Sequence, residues 1–170
     1  MLEGVISAVA AWPVDGVVVV LGAESDRVLE SVGFGDVVVV INDDWENGIT
    51  SSLRIALDYL QRDAAAERCF VALGDQPRIP SDVPDALLAA AGETMRPAIV
   101  PVYRYERSNP VLFDRSLWPR LMSMEGDTGA AELLRAHPEW VHEVRFDHLP
   151  PRDVDTEDDV ADLAPGGSGG

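Results

Sequence analysis

Three uninterrupted apolar runs, residues 17–21, 37–41 and 69–73, have the length of β-strands. Because they carry no alternating polar positions, each run predicts a strand that is buried on both faces. The stretches between them place apolar residues three and four positions apart, which is typical of amphipathic helices. We therefore expect helices over residues 2–11, 25–32 and 49–60, the last of them capped by Thr50 or Ser51.

The second half of the chain continues this alternation. The pattern predicts strands over residues 98–102, 110–113 and 141–146 and helices over 82–91, 117–124, 128–136 and 156–163. Strand 110–113 is expected near a sheet edge because Pro110 has no N–H to donate, and Pro119 is expected to break helix 117–124.

Strands that alternate with helices predict an α/β fold, a Rossmann-like three-layer α/β/α domain with a mainly parallel sheet. We expect one domain over residues 1–163, followed by a flexible Gly/Ser-rich tail over 164–170.

Composition narrows the function classes. The chain has 170 residues, a formal net charge of −17 and 13 basic residues, all of them arginine. This balance argues against nucleic-acid binding, which depends on basic groups that neutralise phosphates, but it allows a small anionic ligand held by a metal ion and a few arginines. The sequence has neither a membrane-length apolar run nor a basic-then-apolar leader, and its single cysteine, Cys69, lies in an apolar stretch. We expect a cytoplasmic protein with no membrane partner and a buried thiol.

Three polar clusters follow predicted strands, where open α/β sheets bind their ligands. Residues 42–48 lead to Thr50, Ser51 and Ser52 at a helix start, which suits a nucleotide's base, ribose or phosphate, although a plain loop with a helix cap explains the same residues. Asp75 directly follows strand 69–73, where a rigid carboxylate suits Mg²⁺, although a local Asx turn is an equal alternative. Gly74 would let a ligand or another backbone approach this turn.

A third polar cluster, residues 153–159, is rich in aspartate. A helix cap by Asp155 or Thr156, with further acids at the positive end of the helix dipole, explains most of it. Capping does not explain the aspartates that precede the cap, so Asp153 or Asp155 is a candidate second metal ligand. The histidines, His137, His142 and His148, lack the spacing of a helical metal pair, so surface roles are favoured.

Five short motifs in fixed order give the chain a resemblance to the molybdenum-cofactor cytidylyl- and guanylyltransferases. They are Asn42-x-x-Trp45-x-x-Gly48-x-x-Ser51-Ser52-Leu53-Arg54, Leu73-Gly74-Asp75-Gln76-Pro77, Arg107-Ser108-Asn109-Pro110-Val111-Leu112-Phe113, Gly126-Asp127-Thr128-Gly129-Ala130 and Asp153-Val154-Asp155-Thr156. The resemblance runs from Leu2 to Leu163. The Gly-Asp-Gln-Pro form is more similar to the cytidylyl branch.

The resemblance implies the nucleotide-diphospho-sugar transferase type of fold and transfer of CMP from CTP, or GMP from GTP, to a phosphorylated acceptor such as molybdopterin, with release of pyrophosphate. It implies that Asp75 and Asp155 are the catalytic Mg²⁺ ligands. The nucleotide-binding residues that it implies are Gly48, Ser51, Ser52, Arg54, Gly74 and Gln76. The acceptor-binding residues that it implies are Arg107, Asn109 and Pro110.

One departure from the family concerns the N-terminus. Family members open with a strand and a loop of the form Leu-Ala-Ala-Gly-x-x-x-Arg-x-Gly-x-x-Lys, and this sequence begins at the helix that follows them. In a Rossmann-like order the first strand lies between strands 17–21 and 69–73. Either these two strands close on each other or the chain is a shortened form of a longer one. We expect the second, with impaired activity because the phosphate loop is absent.

Two other functions fit the same residues. A non-catalytic relative would bind a nucleotide or a partner without releasing pyrophosphate. A sugar-nucleotide-dependent glycosyltransferase would use Asp153-Val154-Asp155 as its metal motif, although that motif here abuts the C-terminal helix rather than a mid-chain strand.

Overall fold

The computed structural model describes residues 2–76, 78–127, 129–147 and 149–150. The α-helices of this part are α1 Leu2–Ala10, α2 Ser25–Ser31, α3 Ile49–Leu60, α4 Val83–Glu93, α5 Trp118–Met122 and α6 Gly129–Ala136. The β-strands are β1 Val18–Leu21, β2 Val38–Ile41, β3 Arg68–Val71, β4 Ala98–Tyr103, β5 Glu106–Arg107, β6 Val111–Asp114 and β7 Val141–Phe146. Apart from β5, each of these elements was predicted to within a few residues. The predicted helix 156–163 and the tail 164–170 lie outside the described residues.

The strands form two sheets. β1 and β2 pair in parallel, while the larger sheet has the order β3-β6-β4-β5 with β7 parallel to β4. β6 is antiparallel to both β3 and β4, so β3, β4 and β7 share one direction and β5 and β6 run against them. The predicted α/β class is confirmed.

Helices cover both faces of the larger sheet. α3, α5 and α6 pack on one face through Leu57, Trp118 and Leu134. α4 packs on the other through Val83 and Leu87. Successive residues of a strand point to opposite faces, so β4 contributes Ala98 and Val100 to the first core and Ile99 and Tyr103 to the second. The larger sheet therefore has the expected three-layer α/β/α arrangement.

A groove separates the two sheets. Within the described residues β1 pairs only with β2 and β3 only with β6, so the facing edges of β1 and β3 do not meet. A cavity of about 910 Å³ lies between them, and the apolar sides of α1 and α3 also line it. The two flanking strands therefore do not close on each other. An edge strand presents a row of unpaired N–H and C=O groups, and this groove has such an edge on each side.

The start of α1 lies beside the end of β3. A Cβ placed on Gly74 would stand 3.6 Å from Leu2 Cδ1. From there α1 runs along the groove with Val5, Ile6 and Val9 lining it. Trp12, just after α1, packs edge-on against Phe70 of β3 at 5.3 Å between ring centres. α1 thus bridges the gap by side-chain packing, without strand pairing.

Two predictions based on proline were wrong. β6 is a central strand, hydrogen-bonded on both sides, because it begins at Val111 and leaves Pro110 outside the ladder. Pro119 lies in the first turn of α5, where a missing N–H costs nothing, so it begins that helix instead of breaking it.

The predicted cap of α3 was also wrong. The N-cap residue is Gly48, and neither Thr50 nor Ser51 caps the helix with its side chain. A carboxylate from a distant part of the chain takes that place. Among the described helices, none is long and apolar enough to cross a bilayer.

Candidate functional site

Asn42 ties the carboxyl end of β2 to the start of α3. Its side chain is 0% exposed, and Nδ2 donates to Ser51 Oγ at 2.8 Å and to Ser52 Oγ at 3.0 Å. Its Oδ1 accepts from the backbone N–H of Asp44 at 3.0 Å. Because a buried amide has few alternative partners, this set of bonds fixes both hydroxyls at the end of the strand.

The two serine hydroxyls have different capacities for a ligand. Ser51 Oγ donates to the carbonyl oxygen of Gly48 at 2.7 Å, so its proton is already used. Ser52 Oγ only accepts, from Asn42, in the hydrogen bonds of the described residues. A hydroxyl can donate one bond while it accepts another. Ser52 is therefore the donor that this cluster can offer to a bound nucleotide.

Gly48 allows α3 and the loop before α6 to meet. Its backbone has φ 79° and ψ −172°, a conformation that is essentially restricted to glycine. A Cβ at this position would lie 1.5 Å from Asp127 Oδ1, the oxygen that accepts the N–H of Ile49 at 3.1 Å. Thr50 Oγ1 accepts in turn from the N–H of Gly129 at 3.2 Å. The starts of α3 and α6 are thus locked together.

This arrangement leaves fewer free N–H groups at the start of α3 than a helix terminus usually offers to a nucleotide. The N–H of Ile49 bonds Asp127, and the N–H of Ser51 bonds the carbonyl of Gly48 at 3.1 Å. An anion at this helix end would compete with the carboxylate of Asp127. The sequence motifs included Asp127 and Gly129, but no local spacing linked them to residues nearly eighty positions earlier.

We expect Gly48→Ala to destabilise the protein by at least about 2 kcal/mol, because the strained backbone and the displaced Asp127 each contribute on the order of 1–3 kcal/mol. The melting temperature should fall by roughly 4–8 °C in thermal unfolding followed by circular dichroism. Gly92→Ala is the matched control. It lies in α4 with no atom within 4 Å of the new Cβ, so it should stabilise by about 0.5–1 kcal/mol. Equal effects of the two changes would contradict the packing of Gly48 on Asp127.

The second part of the candidate site follows β3. Gly74 is exposed, Asp75 is half-buried and Gln76 is 6% exposed, in a turn where the N–H of Gln76 reaches the carbonyl of Leu73 at 3.4 Å. Nothing in the described protein approaches Gly74 closely, because its nearest contact is the ordinary one to Leu2. Close approach at Gly74 by a ligand stays a prediction.

The proposed metal ligands at this turn are only partly within the described residues. Within the described residues, no group of three or more His, Cys, Asp or Glu side chains comes together. Asp153 and Asp155, the candidates for the second carboxylate, lie outside the described residues, as does Pro77. The pairing of Asp75 with Asp155 therefore stays a prediction.

The three predicted acceptor residues occupy different surroundings. Arg107 is exposed on β5 and its Nε donates to Glu143 Oε1 at 2.8 Å. Asn109 accepts on its backbone oxygen from the hydroxyl of Tyr103 at 3.4 Å, and Pro110 is buried. Pro110 can therefore shape this surface but offers little area to a ligand. Arg54, predicted at the nucleotide, is exposed on α3.

Two groups with acidic protons, the half-buried thiol of Cys69 and the buried hydroxyl of Tyr103, are unsuited to proton transfer at neutral pH. Desolvation raises the pKa of Cys69 to about 12, so the thiol stays protonated, although it lines the groove and is less buried than expected. Burial, and then the charge of Asp82, raise the pKa of Tyr103 to about 12. His137 stacks on Trp140 and bonds Glu139 Oε1 at 3.0 Å, consistent with a surface role. His148 lies outside the described residues.

The sequence did not reveal a close approach at the end of β1. A Cβ on Gly22 would lie 2.6 Å from Cβ of Trp45, which begins a short 3₁₀ helix, Trp45–Asn47. The loop after β2 therefore rests on the residue after β1. Both glycine and tryptophan are visible in the sequence, but only the parallel pairing of β1 with β2 brings them together.

An α/β domain with polar clusters at strand ends, one of them tied to a helix start by a buried asparagine, fits a nucleotidyltransferase-type domain, in which the nucleotide binds beyond the ends of the strands. Residues 1–141 match the family described as the MobA-like NTP transferase domain. The chain belongs to this family, which confirms the resemblance seen in its motifs.

Named relatives and solved structures agree with this assignment. Over 155 residues the chain is 32% identical to nicotine blue oxidoreductase of Paenarthrobacter nicotinovorans, covering 82% of this chain and 71% of that protein. It is similar to the crystal structure of the homologue of Mycobacterium tuberculosis Rv0371c from Mycobacterium sp. strain JC1, with 32% identity, a TM-score of 0.83 and coverage of 95% of this chain and 80% of that one. Rv0371c of M. tuberculosis H37Rv in complex with manganese gives 25% identity, a TM-score of 0.83 and coverage of 95% and 84%.

Proposed function

We propose that this protein is the core of an Mg²⁺-dependent cytidylyltransferase that transfers CMP from CTP to a phosphorylated acceptor such as molybdopterin, with GTP as the second choice of donor. The observation that carries the proposal is the cluster in which buried Asn42 holds Ser51 and Ser52 beside Gly48 at the carboxyl end of β2. Open α/β folds bind ligands at this position. Membership of the MobA-like NTP transferase family supports a nucleoside triphosphate as the ligand.

In the proposed reaction an oxygen of the acceptor's terminal phosphate attacks the α-phosphorus of CTP. The bond from that phosphorus to the β-phosphate oxygen breaks, and pyrophosphate leaves with the electron pair. Asp75 and Asp155 would hold Mg²⁺, which would offset negative charge on the phosphates. The manganese complex of Rv0371c supports a divalent ion in this family.

The chain's own residues would bind and orient the two substrates. Ser52 would donate its free proton to an oxygen or ring nitrogen of the nucleotide, while Asn42, whose Nδ2 donates to it, keeps that hydroxyl in place. Gly48 and Ser51, bonded to each other, would contact the nucleotide beside it. Positioning of this kind supplies most of the catalysis in phosphoryl-transfer enzymes. The other nucleotide contacts in this proposal are Arg54, Gly74 and Gln76. The acceptor contacts are Arg107, Asn109 and Pro110.

We also propose that an additional strand and a glycine-rich phosphate loop occupy the groove between β1 and β3 in the fully active enzyme. The two unpaired strand edges and the cavity of about 910 Å³ support this proposal. A strand that ends beside Gly74 could pass through such a loop into α1, since α1 begins there. Residues 1–170 alone would then bind nucleotide but catalyse transfer poorly.

Calorimetric titration of CTP into the 170-residue protein tests the nucleotide site. We expect binding that requires Mg²⁺ or Mn²⁺ and that is stronger for CTP than for GTP. Ser52→Ala should weaken it about tenfold, the usual loss for one hydrogen bond, whereas Ser31→Ala, an exposed serine of α2, should not change it. Unchanged affinity in Ser52→Ala, or binding that is independent of the metal, would count against the proposal.

Related reactions give distinct results in the same experiments. CTP binding without pyrophosphate release in a strand-extended protein would favour a non-catalytic nucleotide-binding relative. Turnover of a nucleotide sugar in place of CTP would favour a glycosyltransferase. Oxidation or reduction of a substrate by the purified protein would favour the type of reaction that the name of the relative nicotine blue oxidoreductase states.

A further inference from the structure

Four arginines line a shallow pocket beside the β4–β5 hairpin. The pocket has a volume of about 390 Å³, and its charged lining residues are Arg104, Arg107, Arg135, Arg145 and Glu143. The local sum is four positive charges and one negative, a net +3, on a chain whose net charge is −17. Nearly a third of the 13 basic residues are therefore gathered at one place on an otherwise acidic protein.

The sheet register brings these side chains together from distant parts of the sequence. Val102 of β4 pairs with Arg107 of β5 on one side and with Arg145 of β7 on the other, which places both arginines on the same face. Glu143, two residues before Arg145, shares that face, and α6 adds Arg135. Arg104 stands in the two-residue turn between β4 and β5.

Within the described residues, most of this positive charge is not neutralised. Arg107 forms an ion pair with Glu143 at 2.8 Å. The side chains of Arg104, Arg135 and Arg145 have no hydrogen bond or ion pair within the described part of the chain. Like charges this close repel one another, and a bound anion would remove that repulsion. Guanidinium groups match phosphate oxygens in paired, bidentate geometry, which favours phosphate as the anion.

The backbone conformation of Arg104 indicates that its side chain has a function beyond forming the turn. Arg104 has φ 57°, in the left-handed region where a residue with a side chain is less stable than glycine by about 1–2 kcal/mol. Its N–H donates to the carbonyl of Phe146 at 3.2 Å, which fixes the turn against β7. Glycine would satisfy the same backbone with less strain, so the conformation alone does not account for an arginine here.

The pocket lies at the same end of the larger sheet as the proposed metal turn. β3 and β4 run in one direction, since β6 is antiparallel to both. Arg104 follows the carboxyl end of β4, as Gly74 and Asp75 follow that of β3. Tyr105, 95% exposed, stands at the rim of the pocket, where its ring is free to cover a bound molecule.

We propose that Arg104, Arg135 and Arg145, together with Arg107, bind the phosphate groups of the acceptor. The acceptor would then carry at least two negative charges at this end, as a phosphomonoester or diphosphate does. This inference rests on the proposed transferase function for the identity of the ligand as an acceptor. It adds three arginines that the sequence motifs did not assign.

Titration with inorganic pyrophosphate in the presence of EDTA tests the pocket separately from the nucleotide site, because the proposed nucleotide site needs a divalent ion. We expect saturable binding that weakens as salt is raised. The double variant Arg135→Gln/Arg145→Gln should lose at least tenfold in affinity. Arg120→Gln, an exposed arginine of α5 outside the pocket, is the control and should bind as the parent protein does.

Arg104→Gly gives an independent result that a folding defect cannot imitate. Since glycine relieves the strained turn, this variant should melt at the same temperature as the parent protein or higher, yet bind pyrophosphate more weakly.

If the pocket variants retain the parental affinity, or if Arg120→Gln weakens binding equally, the assignment is wrong. Intact metal-dependent CTP binding in the double variant, with lost pyrophosphate binding, would show that the two sites are separate. If the parent protein binds pyrophosphate but does not bind CTP, the proposed function is refuted and the anion pocket is not.

Discussion

Adding an apolar strand and the loop Gly-x-x-x-Arg-x-Gly-x-x-Lys before Met1 should raise pyrophosphate release from CTP at least a hundredfold over that of residues 1–170. One preorganised donor to a transition state is worth about 3 kcal/mol, which corresponds to roughly a hundredfold in rate, and the loop would add several. The strand should also pair with both β1 and β3, whose edges face the groove. We expect the melting temperature to rise by roughly 10 °C, because several backbone hydrogen bonds of about 0.5–1.5 kcal/mol each would form.

Two controls separate the contributions of the strand and of the loop. An extension with proline at alternate strand positions keeps the loop but cannot form the ladder, so it should lose the thermal gain. An extension with methionine in place of the loop lysine should keep the thermal gain and lose most of the rate. If neither extension changes the melting temperature, the groove does not accept a strand, and this part of the proposal fails.

Asp75→Ala in the strand-extended protein should reduce pyrophosphate release from CTP by at least a thousandfold. Asp75, which follows β3, is one of the two proposed Mg²⁺ ligands. Without its carboxylate the metal would be lost, and the negative charge on the phosphates would be poorly compensated. Coupled detection of pyrophosphate measures the rate, and the electron paramagnetic resonance of Mn²⁺ measures metal binding in the same samples. The rate and the fraction of bound Mn²⁺ should fall together, since one group is responsible for both.

Asp36→Ala is the matched control for this experiment. Asp36 is an exposed aspartate in the turn before β2, far along the sequence from the proposed metal ligands. Removing it changes the net charge by the same amount, so it should leave the rate and the Mn²⁺ signal as they were. Normal turnover by Asp75→Ala would overturn the metal assignment.

The sequence predicted the elements of this fold better than their pairing. Continuous apolar runs predicted the positions of β1, β2 and β3 to within two residues. Their predicted burial on both faces was wrong, because these strands are mostly half-buried and β1 and β3 border the groove. β5 escaped prediction because two exposed charged residues, Glu106 and Arg107, carry no periodic signal. The position of β6 was misjudged because Pro110 restricts only the residue that carries it, and the ladder begins one residue later.

For the candidate site too, the sequence predicted single positions better than the contacts between them. Residues that follow strands, such as Asn42 and Asp75, could be located from the sequence, since the end of an apolar run marks the end of a sheet. The bond from Asp127 to the start of α3 could not, because it joins segments separated by 78 positions. The four-arginine pocket was equally invisible, since its members meet only through the register of β4 with β5 and β7.

The groove between β1 and β3 also has a consequence for cooperativity. No backbone ladder crosses it within the described residues, so β1, β2 and α2 are joined to the rest of the molecule mainly through α1 and α3. Segments with few shared hydrogen bonds open as local units at a lower free energy than global unfolding. We therefore expect β1, α2 and β2 to exchange their amide hydrogens as a unit, ahead of the larger sheet, for as long as no strand pairs across the groove.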